Sequence, residues 1–455
     1  MVSRAGCVAV ACLVAVVLVL VAIPKGNFRA PQPAAGTAFV LRNTHGVEVH
    51  LLSTGASIQR LLLPDRHGAL ADVALGFEEE EPYADGRSPY FGAIAGRFAN
   101  RIANATFKLD GKAYRLPRNE AGFPGSLHGG RKGFDKVSWK GEHLPQPLTR
   151  FQKLHRRGDA VRFRYASVDG EEGYPGALDV EVVYTLTDSA RGRDDARTPL
   201  APGGYCELIQ SITATVTGAP TVINLAQHSY FNLAGHASGT VLEHELTLPT
   251  ATRVLPVDGH RIPTGHLKPV QGSPFDFLRP SSLGARIAEV DGPGWRAGYD
   301  NCFVLHGLGD APPALKDSLG SARGGKPPPA ADAGWWLRTP RLAATLSHRA
   351  SGRTMEVLTN APGLQLYTSN FLDASRPIPG TKDGARYGRY GGVCLETQSF
   401  PDGPSHVNST LGMGAAATHA RAASRSTEPR ATYPTGVLRP GEKYRHLTIY
   451  RFSVS

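Results

Sequence analysis

A period near two recurs along this chain, in short runs broken by Gly, Pro, Asn and Asp. Residues two apart share one face of a strand, so such runs present a single apolar side to a sheet. The runs are Val47 to Leu52, Ile58 to Leu63, Val161 to Tyr165, Leu178 to Leu186, Ile209 to Val216, Leu342 to Leu346, Met355 to Leu358 and His446 to Phe452. Phe107 to Leu109 and Tyr114 to Leu116 flank Asp110-Gly111, a strong local hairpin signal. Few segments carry the spacing of an amphipathic helix of three or four turns. The expected fold is therefore all-β, a large antiparallel β-sandwich.

The chain has 455 residues, 52 of them Gly and 35 Pro. That length by itself suggests two or three domains, although an all-β unit can occupy a long stretch as one body. Three stretches depart from the strand pattern: 188–204 is charged and rich in Pro and Gly, 307–334 contains Pro-Pro-Pro, and 404–434 mixes small and polar residues. None has the regularly placed apolar side chains of an independent core, so they read as insertions within one domain spanning 38–455. The formal charge of +11 is dispersed over strands and loops. Without a basic stripe or a recognition motif, no nucleic-acid partner is expected. Cys206, Cys302 and Cys394 show no zinc spacing and no disulfide framework, and read as buried free thiols.

Residues 1–37 carry a different signal. Arg4 precedes Cys7 to Ile23, seventeen consecutive apolar residues, followed by Pro24 and Lys25. This resembles a secretory signal peptide or a short membrane anchor followed by a linker. The expectation is a secreted or membrane-attached protein of the secretory pathway, with any membrane association made through residues 7–23. Asn104-Ala105-Thr106 and Asn408-Ser409-Thr410 would then be available as glycosylation sequons.

The chemistry-bearing residues are scattered among these strands. Gly96-Arg97-Phe98-Ala99-Asn100-Arg101-Ile102 concentrates donors, with a planar guanidinium fork at Arg101 and both donor and acceptor groups at Asn100. Ser126-Leu127-His128-Gly129-Gly130 sets an imidazole beside flexible glycines. His228 follows a β-like run, and Glu396 interrupts the apolar strand Gly392-Val393-Cys394-Leu395-Glu396. A carboxylate there is costly to bury unless it meets water, ligand hydroxyls or donors. A histidine and a glutamate of raised pKa form a usable acid and base near neutrality.

Together with Gln227-His228-Ser229-Tyr230-Phe231-Asn232-Leu233-Ala234-Gly235, Gly298-Tyr299-Asp300 and Leu366-Tyr367-Thr368-Ser369-Asn370-Phe371, these motifs resemble the galactose mutarotase, or aldose 1-epimerase, family over roughly Ala38 to Val454. The resemblance implies a large β-sandwich that interconverts the α and β anomers of an aldohexose such as galactose or glucose. It implies Glu396 as general base and His228 as general acid, with Arg101, His128 and Asp300 as substrate contacts and Asn100 and Gln365 as weaker ones. Gln227 stands where the family often has asparagine. No cofactor or metal is expected, because ring opening moves protons and one C–O bond without net oxidation. A noncatalytic sugar-binding or sensing module of the same fold is the alternative. A glycoside hydrolase would ask for two suitably separated carboxylates.

Overall fold

The computed structural model describes residues 38–144, 158–188, 200, 204–290, 297–305, 338–406, 433–434 and 436–455. The apolar run at 7–23, the sequon at Asn408 and most of the three expected insertions (189–199, 201–203, 307–334 and 407–432) lie outside these residues. Among the described residues no helix is long and apolar enough to cross a membrane. Asn104 is exposed, and Cys206, Cys302 and Cys394 are buried free thiols.

Each run with period two is a strand, extended by a few residues where pairing continues past the apolar positions. The largest sheet has nine antiparallel strands. Their spatial order is Lys140–Leu144, Gly158–Ser167, Ala177–Thr187, Tyr205–Thr217, Tyr444–Val454, Arg353–Thr359, Arg341–Ser347, Glu245–Thr247 and Ser281–Ser282. Alternation decides which face turns inward. Leu178, Val180, Val182, Tyr184 and Leu186 are buried along one strand, and Tyr450, Phe452 and Val454 along another. Burying such a side chain fully stabilises the fold by roughly 1.5–3 kcal/mol.

A four-stranded antiparallel sheet, Ala38–Arg42, Glu48–Leu52, Ser57–Pro64 and Leu70–Asp72, supplies Val49, Leu51, Ile58 and Leu61 to the same apolar core. Thr106–Leu109 and Lys112–Arg115 form the expected hairpin, with Leu109 opposite Lys112. Asp110 at φ 50° and Gly111 at φ 81° give the two positive values of a type I′ turn. α-Helix among the described residues is confined to Glu81–Ala84 and Gly403–His406. The described residues belong to one compact unit.

The sheet that builds the site has five antiparallel strands in the order Lys268–Pro269, Arg253–Val254, Asp300–Val304, Gly363–Tyr367 and Cys394–Gln398. Cys302 lies opposite Gln365, Gln365 opposite Glu396, Asp300 opposite Tyr367 and Tyr367 opposite Cys394. Facing partners point the same way, so Asp300, Cys302, Gln365, Tyr367, Cys394 and Glu396 share one face. Phe303, Leu364, Leu366 and Leu395 take the opposite face and enter the main core. One side of this sheet thus anchors it, and the other is free to carry polar chemistry.

Candidate active site

Glu396 is buried at the centre of that polar face, 2% exposed. Its Oε1 lies 3.5 Å from His228 Nε2, while Oε2 has no hydrogen-bond partner among the described residues. A buried carboxylate with one oxygen unpaired is costly in a structural role and suited to meeting a ligand proton.

His228 arrives from a different part of the chain. Ala226–Gln227 pairs with Ile94–Ala95, and the His228 backbone then donates to Ala93 O at 2.9 Å and accepts from Gly92 N–H at 3.1 Å. Gly92 is at φ 64°, and a β-carbon on it would sit 1.9 Å from Ile58 O, so only glycine admits this approach. The His228 ring stacks on Tyr230, with centroids 5.1 Å apart, and lies edge-on to His128 at 5.1 Å. Its Nδ1 faces Cys394 Sγ at 3.7 Å. Gln227 donates to Gly92 O at 2.6 Å. Gln227 therefore braces the backbone beside His228.

His128 and Arg101 are set by a short pairing, Arg101–Ile102 with Ser126–Leu127. His128 sits at φ 49° and is followed by Gly129 at φ 90° and Gly130 at φ 116°. Asn100 N–H donates to His128 Nδ1 at 3.2 Å, which makes that nitrogen an acceptor and leaves the proton of the neutral ring on Nε2. The Asn100 side-chain oxygen accepts from Arg101 N–H at 2.9 Å. The Arg101 fork is not wholly open, as its motif alone suggests. Nε and Nη2 bind the two carboxylate oxygens of Glu120 at 2.8 and 2.6 Å. Asp300 accepts from Gln365 Nε2 at 2.7 Å and from Arg261 Nη1 at 2.9 Å.

Burial dominates the electrostatics. It pushes Glu396 well above the usual carboxylate range, assisted by the charge of Asp300 and opposed by Arg101. It lowers His228 to about 4, against a smaller raising effect of its own backbone and of Asp300. His128 falls well below its ordinary value, first through burial and then through His228, Arg101 and Lys136. Desolvation alone therefore favours the uncharged forms of all three.

Asn100, Arg101, Asp300 and Gln365 line a small, narrow cavity together with Arg261 and Cys302. His128, His228 and Glu396 form the adjoining buried cluster, so the seven expected site residues come together. A larger and more open concavity of about 570 Å³ runs across the nine-stranded sheet past Arg164 and Glu181, and contains neither imidazole nor thiol. Glu120, Arg261 and Tyr90, whose ring packs 4.4 Å from His128, are not distinguishable by motif, because each lies in a loop whose local sequence carries no chemical pattern. The ligand atoms of His228, Cys394 and Glu396 lie within 4.8 Å of one another, a donor set suited to a soft divalent ion.

An antiparallel all-β fold carrying a buried imidazole–carboxylate pair beside further polar side chains defines a site equipped for acid–base chemistry. The comparisons narrow this class. The aldose 1-epimerase family model matches residues 37–419. Human galactose mutarotase is 39% identical over 409 residues, covering 90% of this chain and 92% of the human one. The Escherichia coli aldose 1-epimerase is 31% identical, covering 93% and 97%. A crystal structure of an aldose epimerase homologue from C. elegans superposes with a TM-score of 0.66 at 25% identity, over 92% of this chain and 99% of that one. The chain belongs to the aldose 1-epimerase family.

Proposed function

We propose that this protein is an aldose 1-epimerase that interconverts the α and β anomers of aldohexoses such as galactose and glucose. The observation that carries the reading is the 3.5 Å approach of His228 to Glu396 inside a buried polar site. Glu396 takes the proton of the anomeric hydroxyl while His228 donates one to the ring oxygen. The C1–O5 bond breaks to leave an aldehyde, and rotation about C1–C2 exposes its other face. Reclosure reverses both transfers, restores the two groups and yields the other anomer.

The pKa shifts bear on this cycle. A protonated Glu396 with a neutral His228 holds the same protons as a carboxylate with an imidazolium. The two couples differ by one proton transfer. Burial favours the neutral couple, whereas Arg101 favours the carboxylate and Asp300 the imidazolium. The neutral couple is also the state left after ring opening, so closure from it runs the same path backwards. In this reading the Nε2–H of His128 and the guanidinium of Arg101 stabilise charge developing on sugar oxygens, and Asp300 and Gln365 orient hydroxyls.

The test starts from one pure anomer of galactose and of glucose and follows exchange by polarimetry or NMR. Wild type accelerates it, and Glu396→Gln and His228→Asn each lose about 10²- to 10⁴-fold while remaining folded. Sugar binding with no acceleration by the wild type would instead identify a noncatalytic sugar-binding module. We also propose that Cys7–Ile23 directs the chain to the secretory pathway, as a signal or an anchor. Terminal mass analysis together with detergent fractionation distinguishes these from a chain that stays in the cytosol.

A further inference from the structure

Asp258 organises a tight turn at the mouth of the site. Its side chain accepts from His260 N–H at 2.9 Å and from Ile262 N–H at 3.0 Å, and its carbonyl accepts from Arg261 N–H at 2.9 Å. An isolated bridge between Val257 and Pro263 closes the loop. The turn holds Arg261 at φ 59°, where a residue with a β-carbon is disfavoured and glycine is not. The chain nevertheless has an arginine there, and its side chain is only 9% exposed.

The direction of that side chain accounts for the unfavourable backbone. Its guanidinium lies over Phe371, 4.1 Å from the ring centre, and within 5.8 Å of Phe123. One Nη reaches Asp300 Oδ2 at 2.9 Å, and the residue borders the cavity beside Asn100, Arg101, Asp300 and Gln365. The aromatic contacts hold the fork in one plane, and the Asp300 contact fixes its height.

We infer that Arg261 is a specificity-determining residue of the sugar site, reading one ring hydroxyl jointly with Asp300. This rests on the aldose 1-epimerase reading. A sugar hydroxyl has one proton to donate and two lone pairs to fill. Asp300 is an acceptor and satisfies the donor side alone. Among the described residues Arg261 donates to its Oδ2, while two of the Arg101 nitrogens are committed to Glu120. A hydroxyl inserted at the Arg261–Asp300 contact donates to the carboxylate and accepts from the guanidinium. A sugar lacking it, or carrying it in the opposite orientation, leaves the two charged groups with each other and gains nothing from either.

The experiment measures kcat and KM for galactose, glucose and their singly deoxygenated analogues, with wild type, Arg261→Leu, Arg261→Lys and Arg261→Gly. Arg261→Gly removes the side chain while accepting the positive φ, so a folding failure of the leucine variant leaves the question answerable. Wild type is expected to discriminate against one deoxy analogue by roughly 10- to 100-fold in kcat/KM. Both truncations remove most of that preference, mainly through KM. Arg261→Lys, which keeps the charge without the fork, restores it only partly. An equal loss on every sugar, or an unchanged profile, overturns the inference, as does a gain in kcat/KM on truncation. If wild type does not accelerate anomer exchange, the catalytic reading has failed separately. NMR titration with the same sugars then still shows whether Arg261 discriminates among them.

Discussion

Cys394 and Glu396, two apart on one strand, both face His228: the thiol sulfur lies 3.7 Å from Nδ1 and a carboxylate oxygen 3.5 Å from Nε2. The period of the strand puts both groups on one side, and burial then sets how protons divide among them. Turnover needs one exchangeable proton in the His228–Glu396 pair, which suggests how rate should depend on pH.

Acid adds a second proton to the pair at His228, whose pKa is held near 4, and removes the base. Alkali removes the last proton from Glu396, whose pKa is raised well above 4.5, and removes the acid. kcat/KM should therefore be bell-shaped, with its acid limb near pH 4. The Asp300 charge raises both groups, so Asp300→Asn should move both limbs to lower pH. Limbs that stay in place in this variant would count against the electrostatic assignment.

Gly129 lets the loop carrying His128 pass the Gly96 carbonyl. A β-carbon there would lie 1.9 Å from Gly96 O, on a residue already at φ 90°. Gly129→Ala should displace His128 and lower kcat/KM by about 10²-fold, the scale expected of a 1 Å error in position. Gly111→Ala shares the positive φ but meets nothing within 4 Å, so activity should survive it. Equal effects of the two substitutions would show that strain, and not the position of His128, is responsible.

Lys382 is fully buried and donates to Gln59 O at 2.8 Å, Asp72 Oδ2 at 2.6 Å and Ala74 O at 2.6 Å. It ties a distant loop to the four-stranded sheet. Among the described residues, Lys382→Met leaves Asp72 with Arg60 as its remaining cationic partner, at 3.5 Å. Urea unfolding should register a loss of about 3–5 kcal/mol. A loss under about 1 kcal/mol would mean that Arg60 and the backbone donors to Asp72 suffice.

Three buried imidazoles make stability depend on acid. Desolvation lowers His228 and His446 to about 4 and His244 to about 3, from an ordinary 6.5. Between those values the folded chain binds fewer protons at these rings than the unfolded chain, so their contribution is complete above pH 6.5 and is lost as pH falls through 4. The buried carboxyls of Glu396 and Asp135, both raised by desolvation, act in the opposite sense, while His128, also lowered by burial, adds to the three rings. The melting temperature should drop steadily from pH 6.5 to pH 4. A flat profile over that interval would contradict the burial of these rings in neutral form.

The strands were legible because alternation is a local property: Leu178 to Leu186 and His446 to Phe452 need no partner to declare their period. The Asp110-Gly111 hairpin was legible for the same reason, since its turn depends on two residues at positive φ. Motif chemistry also marked Asn100, Arg101, His128, His228 and Glu396, and the family resemblance added Asp300 and Gln365. Glu120 and Arg261 were not marked, because an ordinary loop acid and an ordinary loop arginine gain significance only from what they meet.

The chain order alone determined the residue types and the alternation that turns one face of each strand toward an apolar core. Tertiary structure decided which of those faces meet. Cross-strand register set Gln365 opposite Glu396, and folding brought His228 to Cys394 across 166 positions of sequence. It also closed Glu120 onto Arg101 and Arg261 onto Asp300. Hydrophobic period is written in neighbouring residues, whereas a pKa depends on water excluded and charges brought near, and those are supplied by segments far apart in the chain.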